Sequence, residues 1–202
     1  MRGVSTRAIG RAAIKDELAA IARPLFLDAG FDNVTFDDLA AAAGVSRSTF
    51  LRYFGSKEDV ALFSFDPLGE AMSAALASRP ADEDEWTSLR RCIDPAIALL
   101  VREPDEGLAL LRLVWSTPPL WARLHEKQAS WRSLLVERLT ERSGADPDSP
   151  RTSPLALRTR AMAALGCLMV AFDSWVEVEG QEDLDVLTDL TFEALAPTAP
   201  RR

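Results

Sequence analysis

The sequence predicts an all-α protein. Helix-forming residues dominate, no segment sustains the period-two alternation of β-branched residues that a half-buried strand needs, and glycine, proline or capping residues punctuate the chain about every ten to twenty-five positions. With 48% apolar residues, a chain of 202 is long enough to bury a sizeable core, as one large domain or two small ones.

The first helix is read from Thr6 to Ala29, with Ile14, Leu18, Ile21, Leu25 and Phe26 at helical spacing, Pro24 tightening its last turn and Gly30 ending it. Two short helices follow, Phe36 to Ala43 and Arg47 to Phe54. A longer one from Lys57 to Arg79 is bent by Pro67, and Pro80 closes it. Further helices are expected at Glu83 to Arg102, Asp105 to Ser116, Pro119 to Arg142, Pro154 to Glu179 and Glu182 to Ala196. Gly144 to Pro154, rich in Asp, Pro and Ser, reads as a loop, and Pro197 to Arg202 as a frayed tail. The division expected is a head of residues 1–56 and a body of residues 57–202.

Cys92 and Cys167 stand far apart with no second pair, which fits buried small hydrophobes in a reducing compartment better than a disulfide scaffold. No long apolar run follows Met1 to Arg7, and the nearly unbroken apolar stretch Ala161 to Phe172 is too short to span a bilayer, so a soluble, cytoplasmic protein with no membrane partner is expected. The net charge of −8 is unevenly spread. Up to Lys57 eight basic residues oppose six acidic ones, so this part carries +2 and the remainder −10. Such a molecule can present one face to phosphates while its body is repelled.

The head carries dense local punctuation. Three helix starts place a hydroxyl residue at the N-cap with an acid or second hydroxyl three positions on: Thr35 with Asp38, Ser46 with Thr49, Ser56 with Asp59. Val34 with Leu39, and Val45 with Phe50, are spaced as hydrophobic staples. Gly44 supplies the left-handed residue of a tight helix-to-helix turn, and Ala40 and Ala41 permit a close crossing. On the second short helix, Ser46, Phe50 and Phe54 share one face, with Arg47 at its edge, whereas Ser48, Thr49 and Arg52 point away. Arginine can grip guanine bidentately, Ser and Thr can serve bases or phosphates, and Leu51 could touch a thymine methyl. The helix N-terminus and the Lys57 amine suit phosphate oxygens. The bland alternative is a structural three-helix bundle with solvated arginines. Arg2 and Arg7 belong either to an arm reaching a minor groove or to a disordered tail.

The run from Phe36 to Asp59, with its Ala-Gly-Val-Ser, Tyr-Phe and Ser-Lys-Glu pieces, resembles the TetR family of bacterial regulators over roughly Arg7 to Phe63. That resemblance implies a helix-turn-helix head, base contacts from Arg47, Ser48 and Arg52, and phosphate contacts from Thr49, Tyr53 and Lys57. Ser48 stands where the family often has glycine, and Leu51 where it often has a phosphate-binding tyrosine.

In the body, Ala161 to Phe172 is apolar around its whole circumference and needs cover on two sides, one of them from a second subunit or, in a monomer, from more of the same chain. The expected interface comprises Ala163, Gly166, Cys167 and Val170 with Leu187 and Leu190, two helices per subunit around a two-fold axis, the TetR-like homodimer that reads a palindromic double-stranded operator. The many large apolar side chains and helix-breaking prolines suggest a cavity lined by Phe63, Met72, Ile93, Ile97, Arg112, Trp115, Trp121, Gln128, Trp131 and Met169. The stretch Leu111 to Trp121 followed by Gln128 to Trp131 is similar to actinobacterial TetR-like regulators that bind acyl-CoA-like ligands, which implies an elongated apolar effector anchored by Arg112, His125 or Gln128. With one histidine, no metal-ligand spacing and no glycine-rich phosphate cradle, neither enzyme nor cofactor is expected. The reading is a ligand-responsive repressor with helix Lys57 to Arg79 as its lever; the alternative is a dimeric sequestering protein whose head docks a protein.

Overall fold

The computed structural model describes residues 6–142 and 152–196, which hold eleven α-helices, two 3-10 segments and no strand. Arg2, the Arg7 side chain, the loop residues Gly144 to Arg151 and the tail Pro197 to Arg202 lie outside the described residues.

The chain forms two compact units, the first comprising residues up to Asp66 together with Arg112–Leu124. Its helices are α1 (Thr6–Ala29), α2 (Phe36–Ala42), α3 (Arg47–Tyr53) and α4 (Lys57–Ala61), with 3-10 segments at Phe31–Asn33 and Phe63–Phe65. Residues 112–124 are the end of α8 (Pro104–Ser116) and the start of α9 (Pro118–Arg142). Leu18, Ala22, Phe26, Phe31, Leu39, Phe50, Phe54, Leu62 and Phe65 form the core, all buried. A file of phenylalanines runs through it: Phe36–Phe50 at 6.0 Å, Phe50–Phe54 at 5.7 Å and Phe54–Phe63 at 5.4 Å between ring centroids, within the range of favourable aromatic pairing.

Local signals set the helix ends. Thr35 closes a complete capping box, its Oγ1 accepting from the Asp38 amide at 3.2 Å while the Asp38 carboxylate accepts from the Thr35 amide at 2.8 Å. The Thr35 hydroxyl, then its amide, hold the Asp38 carboxyl below its ordinary range. Ser46 accepts from the Thr49 amide at 3.2 Å and Ser56 from the Asp59 amide at 3.1 Å. The Asp59 carboxylate is taken by Arg123 of α9, whose Nε and Nη2 donate to Oδ1 at 3.0 and 2.7 Å. Gly44, at φ 64°, makes the turn between α2 and α3.

The second unit comprises Pro67–Leu111 and the residues from His125 onward. It contains α5 (Leu68–Ala77), α6 (Glu85–Cys92), α7 (Asp94–Val101), the remaining parts of α8 and α9, α10 (Pro154–Glu177) and α11 (Leu184–Ala194). The expected helix Lys57 to Arg79 is broken: Leu62 leaves the helical region, 3-10 bonds carry the chain to Asp66, and Pro67 has no N–H to continue the ladder. The helix expected over Glu83 to Arg102 is likewise two, parted at Ile93 just ahead of Pro95. At Gly69 α5 crosses α9 so closely that a Cβ would lie 2.6 Å from Trp131 Cδ1.

Three arginines tie these helices together. The buried Arg90 guanidinium holds Asp94 at 2.6 Å, Asp189 at 2.5 Å and Asp185, joining α6, α7 and α11. Arg142, at the end of α9, donates to the carbonyls of Leu76, Arg79 and Pro80 at 3.2, 2.8 and 2.9 Å, capping α5, and Arg160 of α10 pairs with Glu85. The 24-residue α10 is long and apolar enough to cross a membrane by composition alone, twice the apolar run read from the sequence, and it packs on α6 and α11 along one side.

Between α5 and α6, Glu83 accepts from Arg79 Nε and from Ser88 Oγ, each at 2.7 Å, and these bonds hold its carboxyl at about 2 against an ordinary 4.5. A depressed native pKa stabilises the fold above the unfolded value, and the contribution is lost as pH falls from there through the native one. Urea midpoints measured between about pH 5 and 2 should therefore fall less steeply in Glu83→Gln than in the wild type. Parallel curves would show that the pairing contributes nothing.

Candidate nucleic-acid interface

Burial of Phe50 and Phe54 orients α3, leaving Ser48 and Arg52 exposed on the opposite side and Arg47 and Leu51 exposed at its flanks, with Thr49 and Tyr53 half-buried. Ser46 does not join the buried face: as N-cap it is exposed, and its hydroxyl is turned onto the Thr49 amide and lies 3.0 Å from Ser48 Oγ. Arg47, at the first position of α3, is exposed, its Nε 3.9 Å from Asp37 Oδ1. An exposed pair of that length restrains a guanidinium weakly, so the fork stays available.

Lys57 is placed differently from the arginines of α3. Its Nζ donates to the carbonyls of Phe31 and Val34 at 2.9 and 2.7 Å and lies 4.5 Å from the Phe31 ring centroid. Most of its donor capacity is thus engaged in fastening the start of α4 to the segment before α2. Lys15 sits similarly over the Phe54 and Phe63 rings at 4.9 and 4.7 Å. Sequence patterns gave no sign of these contacts, which join residues far apart in the chain.

Two short helices joined by a glycine turn, the second with a basic exposed face, form a helix-turn-helix. Residues 18–62 match the bacterial regulatory proteins of the tetR family, and residues 65–200, more than half the chain, match the MftR C-terminal domain. The chain belongs to the TetR family. It is 32% identical over 140 residues to the HTH-type transcriptional regulator TcmR of Streptomyces glaucescens, covering 66% of this chain and 62% of TcmR, less than two thirds of that relative. It is 28% identical over 176 residues to MftR of Mycobacterium tuberculosis, named for mycofactocin biosynthesis, covering 84% of this chain and 83% of MftR. In fold it resembles FadR of Bacillus subtilis in complex with stearoyl-CoA, with TM-score 0.63, 20% identity, and coverage of 90% of this chain and 97% of FadR.

In this TetR chain the expected cavity residues divide between the units. Phe63, Arg112, Trp115 and Trp121 belong to the first. There Phe63 packs edge-on against Phe54, the rings of Trp115 and Trp121 meet edge-to-face at 4.9 Å, and Arg112 is exposed. In the second, Met72, Ile93, Ile97 and Trp131 are buried, and Gln128 Nε2 lies 2.8 Å from Met169 Sδ. His125 is exposed. A separate open cleft of about 520 Å³ in the second unit is lined by Asp94, Ile97, Ala98, Val101, Pro104, Trp175 and residues 180–185, and of the expected cavity residues it includes only Ile97.

The expected interface residues also divide. Cys167 and Leu187 are buried within the chain itself, with Thr191 Oγ1 donating to the Cys167 carbonyl at 3.2 Å across the α10–α11 contact. Burial raises the pKa of the Cys167 thiol, while its bond to Thr191 opposes that shift. Ala163 is half-buried. Val170 (56%) and Leu190 (53%) are exposed, joined by Met162 (55%) and Val186 (52%), and Gly166 faces open space.

The Lys57 geometry makes a stability prediction. Lys57→Met, which keeps the stem but removes two charge-assisted bonds, should cost about 1–3 kcal/mol in urea unfolding without DNA present. An unchanged stability would return the ammonium to the role of a free phosphate ligand.

Proposed function

We propose that this chain is a dimeric, ligand-responsive TetR repressor that binds a palindromic double-stranded operator and releases it on binding an apolar small molecule. The observation that carries the reading is the exposed surface of α3, with Ser48 and Arg52 turned away from the buried Phe50 and Phe54 and Arg47 and Leu51 exposed beside them. Arg47 and Arg52 carry forks suited to guanine edges, Ser48 serves a base or phosphate, and Thr49, Tyr53 and the remaining donor of Lys57 serve the backbone. The resident chemistry is binding rather than catalysis, and its place is the bacterial cytoplasm, where the DNA is.

A two-fold assembly is supported by the apolar face of α10 and α11. Met162, Val170, Val186 and Leu190 stand exposed on two packed helices, and the bare Gly166 backbone lets a partner helix approach closely. Four such helices, two from each copy, make a bundle that places two heads on half-sites related by the same axis. The apolar nature of the effector is supported by the large buried side chains of the second unit and by the acyl-CoA chemistry of the FadR fold neighbour. An acyl-CoA-like molecule is the class to try first. The effector acts through its differential affinity for the DNA-competent and DNA-free states.

Gel shifts on DNA upstream of the gene should show Arg47→Ala losing about 1–3 kcal/mol of specific binding with relaxed sequence preference. Unchanged affinity would remove Arg47 from base readout. Val170→Asp should sediment as a monomer and lose operator binding, because a carboxylate cannot be buried unpaired in the bundle. A dimer that survives this substitution would move the interface elsewhere.

A further inference from the structure

Arg11, on α1, reaches across to the C-terminal end of α3. Its Nη2 donates to the Arg52 carbonyl at 2.8 Å, and its guanidinium lies 5.1 Å from the Tyr53 ring centroid. The Arg52 guanidinium approaches the same ring at 5.7 Å. Helix α3 stops at Tyr53, and Phe54 turns into extended backbone at φ −129° and ψ 128°. The Arg52 carbonyl therefore has no following helical N–H to accept from, and it sits at the negative end of the helix dipole. A guanidinium at that point satisfies the orphan carbonyl and the dipole together.

We propose that Arg11 is a positioning residue for DNA reading. It closes the C-terminus of α3 and holds the Tyr53 ring beside two guanidiniums, so that the Arg52 fork and the Tyr53 hydroxyl reach the duplex in one orientation. This rests on the reading of α3 as the DNA-facing helix. The Arg11 fork spans the Arg52 carbonyl and the Tyr53 ring with different atoms of one plane; a lysine can meet carbonyls and a ring together only where all of them crowd around its single nitrogen, as at Lys57. Arg11→Lys is thus a substitution that keeps the charge and loses the clamp. A plain phosphate contact by Arg11 would need only the charge.

Tyr53 is the single tyrosine of the chain, so incorporation of 3-fluorotyrosine into the whole protein gives one fluorine resonance that reports this ring. Both Arg11→Ala and Arg11→Lys should shift that resonance in DNA-free protein. Both should also weaken operator binding by roughly threefold to tenfold, and Arg11→Lys should leave the salt dependence unchanged because no phosphate contact is lost. A resonance unmoved in both variants overturns the clamp. Full affinity in Arg11→Lys, with a salt slope lowered by about one in Arg11→Ala, overturns the positioning role in favour of a phosphate contact. If the resonance shifts in a protein whose wild type binds no DNA sequence, the DNA role is overturned, and the failure is traced to the α3 reading rather than to the clamp geometry.

Discussion

Burial of Phe50 and Phe54 is the constraint on which the rest of the head depends. A seven-residue helix is too short to be stable alone, and α3 exists because Phe50 on it and Phe54 at its C-cap enter the core of the first unit. Since those rings stand on one side, the exposed side is determined too: it carries Ser48 and Arg52, flanked by Arg47 and Leu51. Cations reinforce the arrangement from within: Lys15 lies over Phe54 and Phe63, and Lys57 over Phe31. The same residue class therefore has two functions in this small unit. Lysines lock the aromatic core, and the arginines of α3 remain outside it.

The second unit is organised by charge in another way. Arg90 of α6 draws carboxylates from α7 and α11 onto one guanidinium, and Arg142 gathers the carbonyls left open where α5 ends. Each brings together chain segments distant in sequence, and removing either cation would leave like charges or bare carbonyls facing one another. The acidic surplus of the chain belongs to its later part, so an overall charge of −8 is compatible with a head that approaches phosphate.

Legibility of the sequence followed the range of the forces involved. The caps at Thr35, Ser46 and Ser56, the turn at Gly44 and the α2–α3 boundaries were readable because each rests on residues within four positions of one another. The breaks at Leu62 and Ile93 were not: proline announced a disturbance, but whether a helix bends or ends there depends on what it packs against. A lysine at residue 57 reads alike whether its amine meets carbonyls or phosphates. In α10 the apolar pattern covers the whole circumference, so sequence could not separate Cys167, which faces α11, from Met162 and Val170, which face outward. Core and ligand wall were inseparable in the sequence for the same reason, since Met72, Ile93 and Trp131 satisfy both patterns equally.

If α3 faces DNA from both members of a two-fold dimer, binding-site selection from random duplexes by the purified protein will decide it. The account predicts enrichment of an inverted repeat whose half-site centres lie about one helical turn, or a multiple of it, apart. Enrichment of a single unrepeated site, or of no sequence at all at low salt, would contradict it.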